Sequence, residues 1–348
     1  MKRIAILLLA LLLVQSSFTQ SQNRDPLNVP DIQDFISLKC DFHMHTVFSD
    51  GSVWPDVRVK EAFFEGLDAI SITDHVEYQP HKKDVPTNHN RPYELAKSAA
   101  ANLGIILIPG TEITRSMPPG HLNAIFIEDT NPIDTEDYTD ALNVAKDQGS
   151  FIFWNHPGWV RQAKDGIKWY DEHTELLNSG IIHGIEIVNS NNYYPEAFEW
   201  CLEKNLTIIS NSDMHGSIAS LHEKFEVEHR PMTIVFAKER SSAGIKEALF
   251  AGRTVAWYGK KVIGKETFLK SLAVESLELE AAHYKNDKSE YRKLVNHSAF
   301  HFYLTLNGKD LHLKPGSEMI ITGSIEDQDY QFAIKNFITE NGELKVQL

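Results

Sequence analysis

Cysteine is nearly absent from this chain, with two in 348 residues, Cys40 and Cys201. A single widely spaced pair cannot supply the disulfide framework of a small secreted scaffold, even in an oxidising compartment. Cys40 falls in an apolar strand pattern and Cys201 in a helical one, so both read as buried thiols, with one bridge between them as the alternative. Long apolar runs are missing too. The run from Ile4 to Val14 holds eleven residues, too few to cross a hydrocarbon layer of roughly 30 Å. It follows Lys2-Arg3 and precedes the polar stretch Gln15 to Gln22, the basic, apolar and polar order of an export signal. Removal of residues 1–22 is therefore expected, leaving a periplasmic or secreted protein with no stable membrane span. No cysteine closes the apolar run, which disfavours a lipid anchor.

Positive charge is scarce as well. Lys and Arg number 34 against 48 Asp and Glu, a formal net charge of −14, and loss of Lys2 and Arg3 with the signal makes it −16. A surface of that sign repels polyanions, so no nucleic-acid partner is expected. No long repeat or low-complexity tract appears. Hydrophobic residues at 42% and charged residues at 24% are those of a folded globular chain with a large core.

From Leu38 to Tyr258 short apolar runs alternate with amphipathic helical patterns, the mark of repeated βα units and a largely parallel sheet. Seven units are counted. Their strands are predicted at Leu38–Phe42, Asp68–Ile72, Ile105–Ile108, Phe151–Trp154, Gly184–Val188, Thr207–Ser210 and Met232–Phe236. Helices are predicted at Pro55–Glu65, Tyr93–Ala101, Tyr138–Asp147, Glu172–Asn178, Pro195–Glu203 and Ala243–Phe250. Beyond Val262 the texture changes to strand-like alternation in Phe300–Leu306, Met319–Ile325, Tyr330–Ile334 and Leu344–Leu348, with Asn-Gly and Pro-Gly turn signals between. The expected division is a signal at 1–22, a βα barrel at 23–262 and a small β-rich domain at 263–348. The boundary falls between Gly259 and Lys270, and Leu277–Lys293 reads as a charged helix-prone or loop segment.

The chemistry starts after the first strand, at Asp41-Phe-His43-Met-His45. Alternate residues of an extended chain face one side, so His43 and His45 can grip one ion together. Further ligand types recur at later strand ends: Asp74-His75, Glu112, His156, Asp213 and His215, with Asp50 and His121 from loops. In a parallel barrel such ends converge on one face. Apart from Asp74, nine side chains, six imidazoles and three carboxylates, exceed the needs of one tetrahedral ion and suit two or three of zinc, manganese or iron. Arg115 and Arg161 follow ligand-bearing segments and either can fork onto a phosphate, the bland alternative being a surface arginine. Trp159 and Tyr193 are candidate pocket walls. Glu186 and Asn189 end the fifth strand and are candidates for the pocket floor, with a structural role as the favoured reading. The remaining histidines read as surface or core residues, with His222 and His229 as the exceptions that stand near the last ligands.

The ordered set His43-Met-His45, Ser49-Asp50-Gly51, Thr73-Asp74-His75, Pro109-Gly110-Thr111-Glu112, Gly120-His121, Asn155-His156-Pro157 and Ser212-Asp213-Met214-His215 resembles the polymerase-and-histidinol-phosphatase (PHP) superfamily from about Lys39 to Tyr258. The resemblance implies a distorted (β/α)7 barrel, here joined to a β-rich, sandwich-like domain, and hydrolysis of a small-molecule phosphate ester by a metal-bridging hydroxide. It implies that His43, His45, Glu112 and Asp213 hold one ion, that Glu112 bridges to a second held by His121 and His156, and that Asp50, His75 and His215 take a third. His43, His45, Glu112, Asp213 and His215 would then be the catalytic set. Some members carry histidine where this chain has Asp50, which leaves the ion at that position open. Asp74 is expected as an outer partner that fixes a ligand imidazole. The alternatives are an amidohydrolase-type metal hydrolase, which also uses a first-strand HxH, and a non-enzymatic periplasmic binding protein with a structural metal.

Overall fold

The computed structural model describes Arg24 and residues 27–86, 88–225, 227–324 and 330–348. Residues 1–22, expected as an export signal, lie outside them. The chain opens with β1 (Ile36–Asp41), α1 (Pro55–Phe64), β2 (Ala69–Ile72), α2 (Arg91–Leu103) and β3 (Ile106–Ile113). It continues through β4 (Leu122–Ile125), α3 (Tyr138–Asp147), β5 (Phe151–Trp154), α4 (Asp171–Asn178), β6 (Gly184–Asn189), β7 (Asn192–Tyr193), α5 (Pro195–Glu203) and β8 (Thr207–Asn211). Then follow α6 (Ile218–Phe225), β9 (Met232–Ala237), α7 (Ser242–Phe250), β10 (Thr254–Tyr258), β11 (Lys261–Gly264) and α8 (Glu266–Ser276). All seven strands expected from the apolar runs are present within a residue or two, except that β3 runs on to Ile113.

The pairing is mixed. β1–β2, β2–β3, β5–β6 and β6–β8 are parallel, whereas β1–β9, β3–β4 and β4–β5 are antiparallel. The pivot is Pro109-Gly110 inside β3. The strand pairs with β2 as far as Pro109 and with β4 from Gly110 onward. A Cβ at Gly110 would lie 2.4 Å from Ser71 Oγ and 2.9 Å from Ile125 Cγ2, so only glycine lets β2 and β4 approach there. The same dipeptide reads as a strand stop in the sequence, which is why β4 is not anticipated. β8 meets β9 and β10 through side chains: Thr233 Oγ1 accepts from Ser210 N at 2.9 Å and Thr254 Oγ1 donates to Ile208 O at 2.7 Å.

The β-rich region contains β12 (Leu277–Leu279), β13 (Tyr284–Lys285), β14 (Ser289–Asn296), β15 (Phe302–Leu306), β16 (Lys309–Leu313), β17 (Glu318–Ser324), β18 (Gln331–Thr339) and β19 (Gly342–Gln347). Leu277–Lys293 thus holds no helix: it is strand at Leu277–Leu279, Tyr284–Lys285 and from Ser289 onward, with loop between. Its charges read as a solvated helix, but Glu290 is 1% exposed and is satisfied by Lys285, Arg292 and the Tyr330 hydroxyl. The Asn307-Gly308 turn has φ of 51° and 74°, the left-handed pair a two-residue hairpin demands, and it joins β15 to β16. β18 pairs in parallel with β11, so this region continues the large sheet. One apolar core runs from Val59 and Leu67 through Trp257 to Phe300, Phe302 and Phe332. No helix among the described residues is long and apolar enough to cross a membrane. Both cysteines are buried free thiols.

Arg230, fully buried, ties β1 to α1 by donating to Asp41 Oδ2 at 3.0 Å and to Glu65 Oε2 at 2.5 Å. Removing one member of a buried ion network leaves the others uncompensated. Arg230→Ala should cost about 3–5 kcal/mol of unfolding free energy in urea denaturation; a cost below about 1 kcal/mol would show the network to be dispensable.

Candidate metal centre

The strand ends, with Asp50 from the loop between β1 and α1, bring all nine expected ligands into one cluster. β1 delivers His43 and His45, β2 delivers His75, β3 carries Glu112, and His121 immediately precedes β4. His156 follows β5, and Asp213 and His215 follow β8. Backbone bonds lock the arms together: Asp213 N donates to His43 O at 2.9 Å and His45 N to Met214 O at 2.8 Å. Arg58, fully buried, clamps both arms from below by donating to His45 O at 2.9 Å and Met214 O at 3.0 Å. His156 and Asp213 adopt φ of 28° and 53°, a strained left-handed backbone of the kind that functional sites retain.

Glu112, fully buried, lies at the centre. Its Oε2 is 3.3 Å from His43 Nε2, 3.3 Å from His45 Nε2 and 3.0 Å from His75 Nδ1. Its Oε1 is 2.8 Å from His121 Nδ1 and 3.6 Å from His156 Nε2, and accepts from Asn155 Nδ2 at 3.1 Å. Each oxygen therefore faces a separate imidazole group. Ligand atoms converge in four overlapping sets: His43, His45 and Glu112; His43, His156 and Asp213; Glu112, His121 and His156; and His45, Asp50, His75 and His215. The last set adds His45 to the three residues the resemblance assigns to a third ion.

The fit to metal shows in atoms the protein leaves without hydrogen bonds. His45 Nε2, Asp50 Oδ1 and Asp213 Oδ1 are all buried and unpartnered, although His45 Nε2 and Asp213 Oδ1 are 3.1 Å apart. Such atoms cost free energy unless something satisfies them, and nitrogen and carboxylate donors at this separation are a divalent-cation donor set. The charges bias one another in the same direction. Burial pushes the Glu112 carboxyl up, but His75, His43 and His121 pull it well below its usual range. Burial pulls His215 down, yet the neighbouring Asp50 and Asp213 carboxylates raise it to about 9.

The surrounding groups are only partly those expected. Asp74 reaches no ring directly: it accepts from Thr46 N and Oγ1, each at 2.6 Å, and from Ser49 Oγ at 2.7 Å. Ser49 Oγ then lies 3.3 Å from His45 Nδ1, so Asp74 acts through the serine. Glu186, read from the sequence as structural, is the carboxylate behind His43. Its Oε1 is 2.7 Å from His43 Nδ1 and accepts from Asn211 Nδ2 at 2.9 Å. Its Oε2 accepts from His156 N at 2.8 Å and Asn189 Nδ2 at 2.9 Å. The signal available was a carboxylate inside the apolar strand Gly184-Ile-Glu-Ile-Val188, which cannot be buried there unpaired.

Arg115 is engaged by the protein, ion-paired with Glu77 and donating to Thr114 O and Thr135 O at 2.9 and 2.8 Å. Arg161 lies over the Trp159 ring at 5.6 Å, and Trp159 packs 5.6 Å from the His121 ring and 5.3 Å from that of His156. Tyr193 sits on the β6–β7 hairpin beneath Lys261. His222 pairs with Glu65 at 2.5 Å, and His229 faces Arg230 O and Gly259 O while packing on Trp257, so both serve the framework. His173 is buried and His183 half-buried, and loss of hydration pulls each imidazole down to about 4.

Outer partners of metal-binding imidazoles typically govern metal affinity by 10- to 100-fold. Glu186→Gln should weaken metal binding at least about tenfold in competition with a chromophoric chelator. Unchanged affinity would remove Glu186 from any role in orienting His43.

No protein-family model matches the chain. It is 38% identical over 82 residues to an uncharacterized protein of Methanocaldococcus jannaschii, a match to 24% of this chain that spans 36% of that protein's length. A crystal structure from Bacteroides vulgatus ATCC 8482, described as a two-domain protein containing a "predicted PHP-like metal-dependent phosphoesterase", is 45% identical, with a TM-score of 0.89 over 94% of this chain and 99% of its own. Identity and coverage of that order mean that this chain belongs to the PHP-like metal-dependent phosphoesterase family.

Proposed function

We propose that the protein hydrolyses phosphate esters at a centre of two or three divalent ions, zinc, manganese or iron, carried on a distorted (β/α)7 barrel. The observation that carries this reading is Glu112, whose two carboxylate oxygens face separate imidazole groups. His43, His45, Glu112 and Asp213 would hold one ion, His121 and His156 with Glu112 a second, and Asp50, His75 and His215 a third. Bound ions of this kind lower the pKa of a coordinated water to make a nucleophile and neutralise the non-bridging phosphate oxygens. The residues supply position. Glu186 fixes the His43 ring, Asp74 fixes His45 through Ser49, and Arg58 keeps the two ligand loops at one height. Arg161, stacked on Trp159, can reach a phosphate oxygen beside His121 and His156. An amidohydrolase-type centre would use a bridging lysine, whereas the side chains within reach of Glu112 are imidazoles and the Asn155 amide.

The test is turnover of p-nitrophenyl phosphate and bis-p-nitrophenyl phosphate, with metal content measured on the same sample. Hydrolysis of either ester, abolished by chelation, is the expected result. Asp213→Ala should lose at least one metal per chain and roughly a hundredfold or more in kcat, while Arg161→Ala should mainly raise KM. Bound metal without turnover of any ester would favour a binding protein, and a metal-free protein would end the hydrolase reading. The Lys2-Arg3 and Ile4–Val14 pattern supports export with removal of 1–22. The protein recovered from the periplasm or medium should then begin near Asn23, and an intact Met1 on that material would overturn export by cleavage.

A further inference from the structure

A cavity of about 210 Å³ opens directly beside Asp213 and His215, walled by Ser190, Ser220, Lys224 and Phe225. Its outer wall is α6, and the register of that helix divides it into two faces. Ile218 and His222, four apart, are fastened to α1: Ile218 N donates to Glu61 Oε1 at 2.8 Å and His222 Nε2 lies 2.5 Å from Glu65 Oε1. Ser220 and Lys224 are also four apart and therefore share a face, turned from that anchor by the two-residue offset, and it is this face that lines the cavity. The glutamates of α1 thus fix the helix without consuming its lysine.

Lys224 forms no ion pair among the described residues, and its ammonium lies 4.8 Å from the ring of its neighbour Phe225. Of the cations near this centre Arg115 is paired internally, whereas Lys224, like Arg161 over Trp159 on the other side, has no carboxylate partner among the described residues. Ser220 Oγ donates to Ser217 O at 2.6 Å, which leaves its lone pairs facing the cavity as acceptors. The cavity therefore offers a cation, hydroxyl oxygens and the apolar flanks of Leu221 and Phe225, open at one end to the candidate metal centre.

We infer that this cavity receives the part of the substrate beyond the scissile phosphate, and that Lys224 selects phosphate esters carrying a second anionic group, a carboxylate or another phosphate, on the alcohol side. The inference rests on the phosphoesterase reading for the position of the scissile phosphate. A mobile ammonium pairs with such a group as a point charge, and one charge-assisted contact is enough for about a tenfold difference in affinity.

The experiment compares two six-carbon phosphomonoesters that differ in one terminal group, 6-phosphogluconate with its carboxylate and sorbitol 6-phosphate with a hydroxymethyl. Dissociation constants are measured by titration calorimetry on the metal-loaded full protein, wild type, Lys224→Gln and Lys224→Arg. The expected result is about tenfold tighter binding of 6-phosphogluconate by wild type. That preference should collapse in Lys224→Gln and survive in Lys224→Arg. Equal constants for the two ligands in wild type, a preference that Lys224→Gln leaves intact, or no binding of either would overturn the inference. A preference that follows the charge at 224 in a protein that hydrolyses no ester would sustain the subsite and defeat the hydrolase reading instead.

Discussion

The structure depends on one expensive object, a fully buried carboxylate surrounded by imidazoles. Glu112 has no access to water, and an isolated charge in such a place would cost far more than the fold can spare. It is tolerated because five imidazoles and one amide converge on its two oxygens. Nearly every special feature of the backbone serves that convergence. β3 changes partners at Pro109-Gly110 so that Glu112 enters the centre from a strand rather than a loop. β4 runs antiparallel beside it and sets His121 opposite Oε1.

Around this object the chain places further buried charge in matched sets. Glu186 collects His43, the His156 amide and two asparagines. Asp74 collects the Thr46 and Ser49 donors. Asp41 and Glu65 are answered by Arg230, and Glu61 by Arg58. Each set except the Arg58–Glu61 pair, three residues apart on α1, joins segments distant in sequence, so the ligand loops are held by polar contacts whose partners must all be present together. This is how a site with strained residues at His156 and Asp213 stays in one arrangement.

Much of this was legible before any coordinates. The seven apolar runs gave the strands because burial on both faces leaves a continuous hydrophobic signature, and the ligand residues stood at their ends. Three things were hidden. Pro109-Gly110 looks like a terminator because proline and glycine usually are, so the change of partner within β3 was invisible. Leu277–Lys293 looks like a solvated helix or loop because of its charges, whereas cross-strand pairing and the burial of Glu290 make the greater part of it strand. Glu186 and Ser49 became outer partners through contacts more than a hundred residues apart or across a tight loop, and single-sequence spacing carries no such information. Arg115 sits where a substrate contact was plausible, but the neighbouring acid Glu77 claims it.

The parallel union of β11 with β18 has a bearing on how the chain can be divided. Sheet borders with unsatisfied amides and carbonyls are templates for uncontrolled association. The hairpin of β10 and β11 would present such a border if the chain ended near Val262, and its apolar face would lose Phe300, Phe302 and Phe337 at the same stroke. The carboxy-terminal quarter is therefore a seam cover for the ligand-bearing sheet, and excising it would leave that sheet with an open edge and a bare apolar face even though it contributes none of the nine candidate ligands.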